Sequence, residues 1–152
     1  MNFITTGERI LITLWVGGLW SIGYIAAPTL FAMLDDRRLA GELAGQMFHI
    51  INYLGLTCGG VLVIGLLWRK LTRWQLWVII LMLVIVGCSE FLIQPMMQHL
   101  KASGLVEGSQ QARDFGRLHG VAATLYMINS LLGLVLAVFG MPRKEARMFA
   151  EL

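Results

Sequence analysis

Glu90 is the residue in this sequence that most clearly calls for chemistry, because it is a carboxylic acid inside the apolar stretch IVGCSEFLIQPMMQHL. A charge at the centre of a bilayer costs about 2.5–3.5 kcal/mol on the most lenient insertion scale. The side chain should therefore be paired, protonated or in contact with water. Gln94 follows four residues later, on the same helical face. We expect Glu90 and Gln94 to mark a ligand or proton site, the alternative being a structural carboxylate hydrogen-bonded across the molecule.

Partners for this carboxyl group occur in the other apolar stretches. His49 belongs to a polar face that also contains Asn52 and Tyr53, and the last stretch, GRLHGVAATLYMINSLLG, contains His119 near its start. We expect the pocket around Glu90 to contain side chains from all these stretches: Tyr24, His49, His119 and Asn129. In this interpretation Glu90 accepts a proton or cation, and His119 is its switchable partner.

The same histidines allow two cofactor hypotheses. His49 and His119, on different helices, would supply the two axial ligands of a haem. Soft ligands that suit Cu(I) are also present nearby: Met96, Met97 and His99. Methionine is also a common filler of apolar gaps, so this pattern has little specificity. The sequence leaves the cofactor open, with haem and copper as the alternatives.

The composition indicates the elements that must position these residues. Of 152 residues, 57% are hydrophobic and only 14% charged, and the mean hydropathy is +0.72. Soluble domains carry about 25% charged residues. A helix that crosses a bilayer needs about 20 mainly apolar residues, and four segments qualify: 10–30, 48–68, 74–97 and 118–141. We predict an all-α integral membrane protein, a four-transmembrane-helix bundle that forms a single domain over residues 1–152.

The connecting segments complete this architecture. Residues 31–47, FAMLDDRRLAGELAGQM, are typical of a short amphipathic surface helix between spans one and two, capped by aspartate. Pro28 is expected to end or kink the first helix, and residues 69–73 to form a tight turn. The first apolar region is longer than the 7–15 residues of a cleaved signal peptide, so we expect an uncleaved span.

The positions of lysine and arginine predict the orientation. One side of the four spans receives seven: Arg9, Arg69, Lys70, Arg73, Arg143, Lys144 and Arg147. The other side receives five, in longer loops: Arg37, Arg38, Lys101, Arg113 and Arg117. Both termini are therefore expected in the cytoplasm of a bacterium, the protein in its inner membrane, and the pocket facing the periplasm.

Small residues predict how the helices pack, because membrane helices associate through close backbone approach. The candidate packing positions are Gly17, Gly18, Ser21, Gly55, Gly59, Gly116, Gly120 and Gly133. Besides the lipid bilayer, a second copy of the chain or another membrane protein is an expected partner. Nucleic acid is not, because the basic residues are scattered at helix ends.

Two stretches resemble a known family: LWVGGLWSIGYIAAPTLFAMLDDRRLAGELAGQMF and FGRLHGVAATLYMINSLLGLVL. Their order of motifs is similar to that of the transmembrane protein 205-like group, whose bacterial members carry a domain of unknown function. The resemblance implies a helical membrane bundle without an established reaction, loosely connected with copper-resistance D proteins. It maps these residues onto recurring positions: Trp15, Gly17, Gly18, Ala27, Pro28, Phe31, Pro95, His119 and Asn129.

The first half is also similar to the membrane protoporphyrinogen oxidase family, in its W-x-x-G and P-x-L-F start. That family has a haem-ligating histidine in its first span, where this chain has none. Our main expectation is a non-enzymatic inner-membrane protein that handles a small ligand, proton or metal ion at its polar pocket, or assists a membrane complex. The alternatives are a haem-binding membrane oxidoreductase and a structural subunit.

Overall fold

Each apolar stretch of the sequence forms a helix long enough to cross a bilayer. The computed structural model describes residues 3–68, 74–104 and 108–140. Its four candidate spans are Thr6–Met33, Arg37–Trp68, Trp74–Ala102 and Gln110–Phe139. At 1.5 Å per residue, even the shortest rises about 42 Å, more than the roughly 30 Å of a hydrocarbon core. The predicted all-α, four-span fold class is confirmed, and the apolar helices indicate a lipid bilayer as the environment.

Two of the spans contain a π-helical turn. The elements are α1 (Phe3–Trp20), π1 (Ser21–Ala26), α2 (Ala27–Met33), α3 (Arg37–Trp68), α4 (Trp74–Cys88), π2 (Ser89–Ile93), α5 (Gln94–Ala102) and α6 (Gln110–Phe139). The first span consists of α1, π1 and α2, and the third of α4, π2 and α5. The predicted turn at residues 69–73 and the tail after residue 140 lie outside the described residues.

Both π turns stand directly before a proline-containing turn of helix. Pro28 and Pro95 each lie at the start of the following α-helix. A proline inside a helix lacks the N–H and clashes with the carbonyl group four residues earlier. The wider π turn accommodates this: the N–H of Ala27 donates to the carbonyl of Ile22. Of the two outcomes predicted for Pro28, an end or a kink, the end is not observed, because the helix continues to Met33.

The segment predicted as a separate surface helix is the first part of α3. This helix runs without interruption from Arg37 to Trp68. Asp36 caps it as expected, because its Oδ1 accepts hydrogen bonds from the N–H groups of Arg38 and Leu39. Ala40 and Ala44 are buried within the bundle. Since nothing between Asp36 and the span breaks a helix, and this small-residue face has packing partners, the two predicted helices are one.

Trp15 lies at the centre of the helix packing and is fully buried. A Cβ atom on Gly55 would overlap its indole ring, and one on Gly59 would lie 2.9 Å from the ring. The Cβ of an alanine at Gly18 would overlap Ile51, and one at Gly133 would lie 3.0 Å from Val16. These four glycines therefore permit close contacts between helices.

Other glycines in the predicted packing set have no such contact. Within the described residues, a Cβ atom would meet nothing within 4 Å at three positions: Gly17, Gly116 and Gly120. Ser21 is exposed on the surface of the first span. These positions therefore face away from the bundle core. The prediction failed there because the spacing of small residues alone does not tell which face of a helix is turned inward.

Exposed tryptophans mark one membrane boundary. Trp68, Trp74 and Trp77 are 88%, 44% and 66% exposed, as expected for an interfacial aromatic belt. We call this end of the bundle the Trp68 end, and the opposite end, where α2 meets α3, the Asp36 end. A hydrocarbon core of about 30 Å corresponds to roughly 20 helical residues. The second boundary then falls near Phe48 on α3 and near Gln94 on the third span.

Candidate functional site

Glu90 is buried in the bundle, where α3 provides its polar partners. Glu90 is 5% exposed and lies in π2. The side-chain amide of Asn52 donates a 2.9 Å hydrogen bond to its Oε2, and Nδ1 of His49 contacts its Oε1. Residues 49 and 52 share one helical face because they are three positions apart. The depth estimate places this cluster just inside the hydrocarbon boundary at the Asp36 end.

The polar contacts of Glu90 offset the free-energy cost of placing a carboxyl group in apolar surroundings. A buried polar group without a partner costs about 1–3 kcal/mol, and a charged one more. Both oxygens of Glu90 have a polar contact from α3. A carboxylate has about four acceptor positions, so the group can still accept further hydrogen bonds. Both oxygens of Glu90 are therefore satisfied as they stand, and the carboxylate has capacity for about two more donors.

A groove of about 730 Å³ reaches Glu90 from the Asp36 end. Its lining comes from α3, π2 and α5, and consists of Arg38, Glu42, Gly45, Gln46, His49, Tyr53, Glu90, Phe91, Gln94, Pro95, Gln98, Lys101 and Ala102. The volume lies in the range of about 300–1,000 Å³ that is typical of small-molecule sites. Gln94, predicted beside Glu90, thus lines the same space.

His49 forms part of the wall between the buried carboxylate and the groove. Its side chain is 51% exposed although its Nδ1 contacts Glu90. Tyr53 packs edge-to-face against its ring, with the ring centroids 4.7 Å apart and an angle of 66°. A neutral imidazole that donates from Nδ1 keeps Nε2 as an acceptor, whereas the protonated ring donates from both nitrogens. His49 can therefore change its hydrogen bonding without losing its contact with Glu90.

The cations at the mouth of the groove have local partners. Nε of Arg38 lies 3.1 Å from Oε1 of Glu42, and both side chains are more than half exposed. Nζ of Lys101 lies 5.7 Å from the centroid of the Phe115 ring. Exposed pairs of this kind contribute at most about 1 kcal/mol. The buried ionisable group of the groove is an acid, Glu90.

Tyr24 belongs to a second polar cluster, between the first span and α6. The hydroxyl oxygens of Tyr24 and Ser130 lie 2.7 Å apart, and Nε1 of Trp20 donates a 3.3 Å hydrogen bond to the carbonyl of Ser130. The side chain of Asn129 is buried, and its Oδ1 has no hydrogen-bond partner within the part of the chain that the structure describes. Neither Tyr24 nor Asn129 is among the described residues that line the groove of Glu90, and Tyr24 instead contacts Ser130 of α6.

His119 is also separate from the groove. It is exposed and stacks on Phe115, with the ring centroids 6.1 Å apart. The groove lining, as far as residues are described, includes none from α6. His49, not His119, is the histidine that contacts Glu90. The two histidines therefore do not form the paired axial-ligand arrangement that the haem hypothesis requires.

The predicted copper ligands are divided between two sides of α5, with Met96 and His99 on one cavity and Met97 buried in the bundle. Met97 is 8% exposed and Met96 is 55% exposed, as expected for consecutive residues that point to different sides of a helix. His99 and Met96 line a second cavity, of about 690 Å³, together with Asp114 and Arg117. Over residues 3–68, 74–104 and 108–140, no three His, Cys, Asp or Glu side chains come together as a metal site.

Sequence reasoning missed the outer wall of the groove. The residues on α3 follow one helical stripe at spacings of three and four: Arg38, Glu42, Gln46, His49 and Tyr53. This periodicity was readable in the sequence. Assigning residues 31–47 to a separate surface helix divided this stripe between two elements, so that its members were not recognised as one face.

Comparison with known proteins adds a family without an assigned activity. The family model described as "Domain of unknown function (DUF4149)" matches residues 10–105. The matched region includes His49, Asn52 and Glu90, and therefore the floor of the groove. No curated protein and no solved structure gives a significant match. Because the match covers more than half of the 152 residues, the chain belongs to the DUF4149 family.

Proposed function

We propose that this membrane protein binds a small ligand in the groove and exchanges a proton at the pair of Glu90 and His49. The observation that carries the proposal is the position of Glu90: a 5% exposed carboxyl group that lines a groove of small-molecule size. Ionisable groups inside membrane spans are costly and often mark substrate or proton pathways. A non-catalytic binding role requires no further reacting group.

The chemistry follows from the hydrogen bonds. A proton that arrives through the groove meets the half-exposed ring of His49 first, and Nδ1 of that ring contacts Oε1 of Glu90. Asn52 holds the other oxygen with a neutral amide, which can donate whether or not Glu90 is protonated. The pair can therefore change its protonation while Glu90 keeps its place in the bundle.

The proposed location is a bacterial inner membrane with both termini in the cytoplasm. The supporting observation is the distribution of lysine and arginine, seven against five, with the larger number on the side of the Trp68 end. The groove would then open toward the periplasm. A relationship of this family to the transmembrane protein 205-like group and the copper-resistance D proteins stays a prediction.

Infrared difference spectroscopy of the protein in lipid nanodiscs tests the proton site. A step from alkaline to acidic pH should produce the carbonyl band of a protonated carboxyl group in an apolar environment. Glu90→Gln should lose this band, while Glu42→Gln, which changes an exposed carboxylate of the same groove, should keep it. A band that survives in Glu90→Gln would exclude Glu90 as the proton acceptor.

A matched pair of histidine variants separates the proposed partner from the one predicted by sequence. His49→Phe should shift the Glu90 band, because the contact with Oε1 is lost, whereas His119→Phe should leave it unchanged. The other charged or titratable groups that line the groove are Arg38, Glu42, Tyr53 and Lys101. An equal shift in both histidine variants would contradict the pairing.

A further inference from the structure

We infer that the ligand of the groove carries a primary ammonium group, which binds at Glu90. This inference rests on the proposed function, since it identifies the chemical class of the ligand for the same groove. Three features of the groove support it: its size, its buried carboxyl group and the hydrogen-bonding groups of its walls.

The size of the groove favours an organic molecule over a bare metal ion. A volume of about 730 Å³ is far larger than an ion and its coordinating atoms need. A metal ion also requires several strong ligands close together. Around Glu90 the groove offers one carboxylate and one imidazole, and these two are in contact with each other.

The buried charge favours a cation. Glu90 is the buried ionisable side chain of the groove lining, and its carboxylate has acceptor positions beyond the two that His49 and Asn52 occupy. The basic side chains at the mouth face other partners, Glu42 for Arg38 and Phe115 for Lys101. A positive group at the inner end of a ligand would therefore meet an acidic acceptor at Glu90.

The walls favour an ammonium group that can donate hydrogen bonds. Gln46, Gln94 and Gln98 line the groove, and each has an amide oxygen that accepts from N–H. Tyr53 lies beside His49 and is 47% exposed, so it offers an aromatic ring to a cation. A primary ammonium has three donors, whereas a quaternary ammonium has none. The groove should therefore prefer primary amines.

The amine can come from two sources with the same chemistry. The groove extends from just inside the estimated hydrocarbon boundary to the Asp36 end, where a diffusible alkylamine and the headgroup of an aminolipid are both within reach. Exposed Phe91 and Pro95 on its wall suit the alkyl part of either molecule. The experiment therefore includes an arm for each source.

Equilibrium dialysis of radiolabelled hexylamine against the full-length protein in phosphatidylcholine nanodiscs tests the inference. We expect saturable binding of one molecule per chain. Loss of a hydrogen bond to a charged group costs about 1.5–3 kcal/mol, so Glu90→Gln should weaken binding by about tenfold or more. Asp35→Asn, which changes an exposed carboxylate outside the groove lining, should bind like the unchanged protein. Hexanol and hexyltrimethylammonium should fail to compete.

Two further arms make the outcome decisive. Adding phosphatidylethanolamine to the nanodisc should weaken hexylamine binding if the source is a lipid headgroup, and leave it unchanged if the source is a diffusible amine. Tyr53→Leu, which keeps Glu90, should weaken binding severalfold, so the inference stays testable should Glu90→Gln fail to fold. Equal binding in Glu90→Gln and in the unchanged protein, or equal competition by hexanol, would overturn it. If the Glu90 infrared band is present but no amine binds, the inference alone fails.

Discussion

The side-chain amide of Asn52 donates a 2.9 Å hydrogen bond to Oε2 of Glu90, across 38 positions of the sequence. Both residues are less than a tenth exposed. The bond joins the middle of α3 to the π turn of the third span, and it fixes the carboxyl group at the floor of the groove. His49, one helical turn away from Asn52, contacts the other oxygen through its Nδ1.

Asn52→Leu should destabilise the bundle, because it leaves one oxygen of Glu90 without its buried donor. We expect a loss of about 1–3 kcal/mol in the free energy of unfolding, measured by denaturation in mixed detergent micelles. In a Glu90→Gln background the same substitution should cost less, because the charge that needs the amide is absent. An equal loss in both backgrounds would show that Asn52 contributes packing and not the hydrogen bond.

Gly55→Ala should destabilise the protein, because its Cβ would overlap the fully buried Trp15 ring. Overpacking of this kind costs about 1–3 kcal/mol. Gly60→Ala is the matched control on the same helix, since nothing lies within 4 Å of its Cβ position. There the higher helix propensity of alanine favours the folded state. Thermal unfolding that changes alike for the two variants would contradict the role of Gly55 in packing.

Hydropathy was sufficient to predict the four spans, because a bilayer forces each backbone segment within it to satisfy its own hydrogen bonds in a helix. The start of the third span was predicted correctly and that of the second was not, for a physical reason. The third begins at Trp74 as predicted, directly after a charged segment. The second begins 11 residues before the predicted 48, at Arg37. A polar stretch that extends a helix beyond the lipid has no hydropathy signal.

The site was predicted only in part, because the sequence indicates depth better than rotation. Glu90 and His49 were both expected in the pocket, and the structure brings them into contact. His119 was expected there as well, but the rotation of α6 about its axis is set by close packing such as that of Gly133 against Val16. That packing turns Ser130 toward Tyr24. Such rotational positions depend on contacts between spans, which one sequence does not reveal.

Pro95→Ala should move Glu90 out of its pairing, because an alanine restores the backbone N–H that an α-helical turn needs at this position. With the π turn closed, the residues on its N-terminal side rotate relative to α5. The Glu90 infrared band should then shift, while the helical circular dichroism signal stays the same. Pro28→Ala, which changes the equivalent position after π1, should leave the band in place. An unshifted band in Pro95→Ala would show that proline is not what maintains π2.

Cysteine labelling in spheroplasts should reveal which side of the membrane the groove faces. In a background with Cys58 and Cys88 replaced by alanine, Ser103→Cys introduces a thiol at the Asp36 end, where residue 103 is exposed just after α5. The positive residues near the Trp68 end predict that this thiol reacts with a membrane-impermeant maleimide in intact spheroplasts. Trp74→Cys, at the opposite end, is the control and should react only after the membrane is permeabilised. The reverse pattern would place the mouth of the groove in the cytoplasm, and the proton exchanged at Glu90 and His49 would then come from that side.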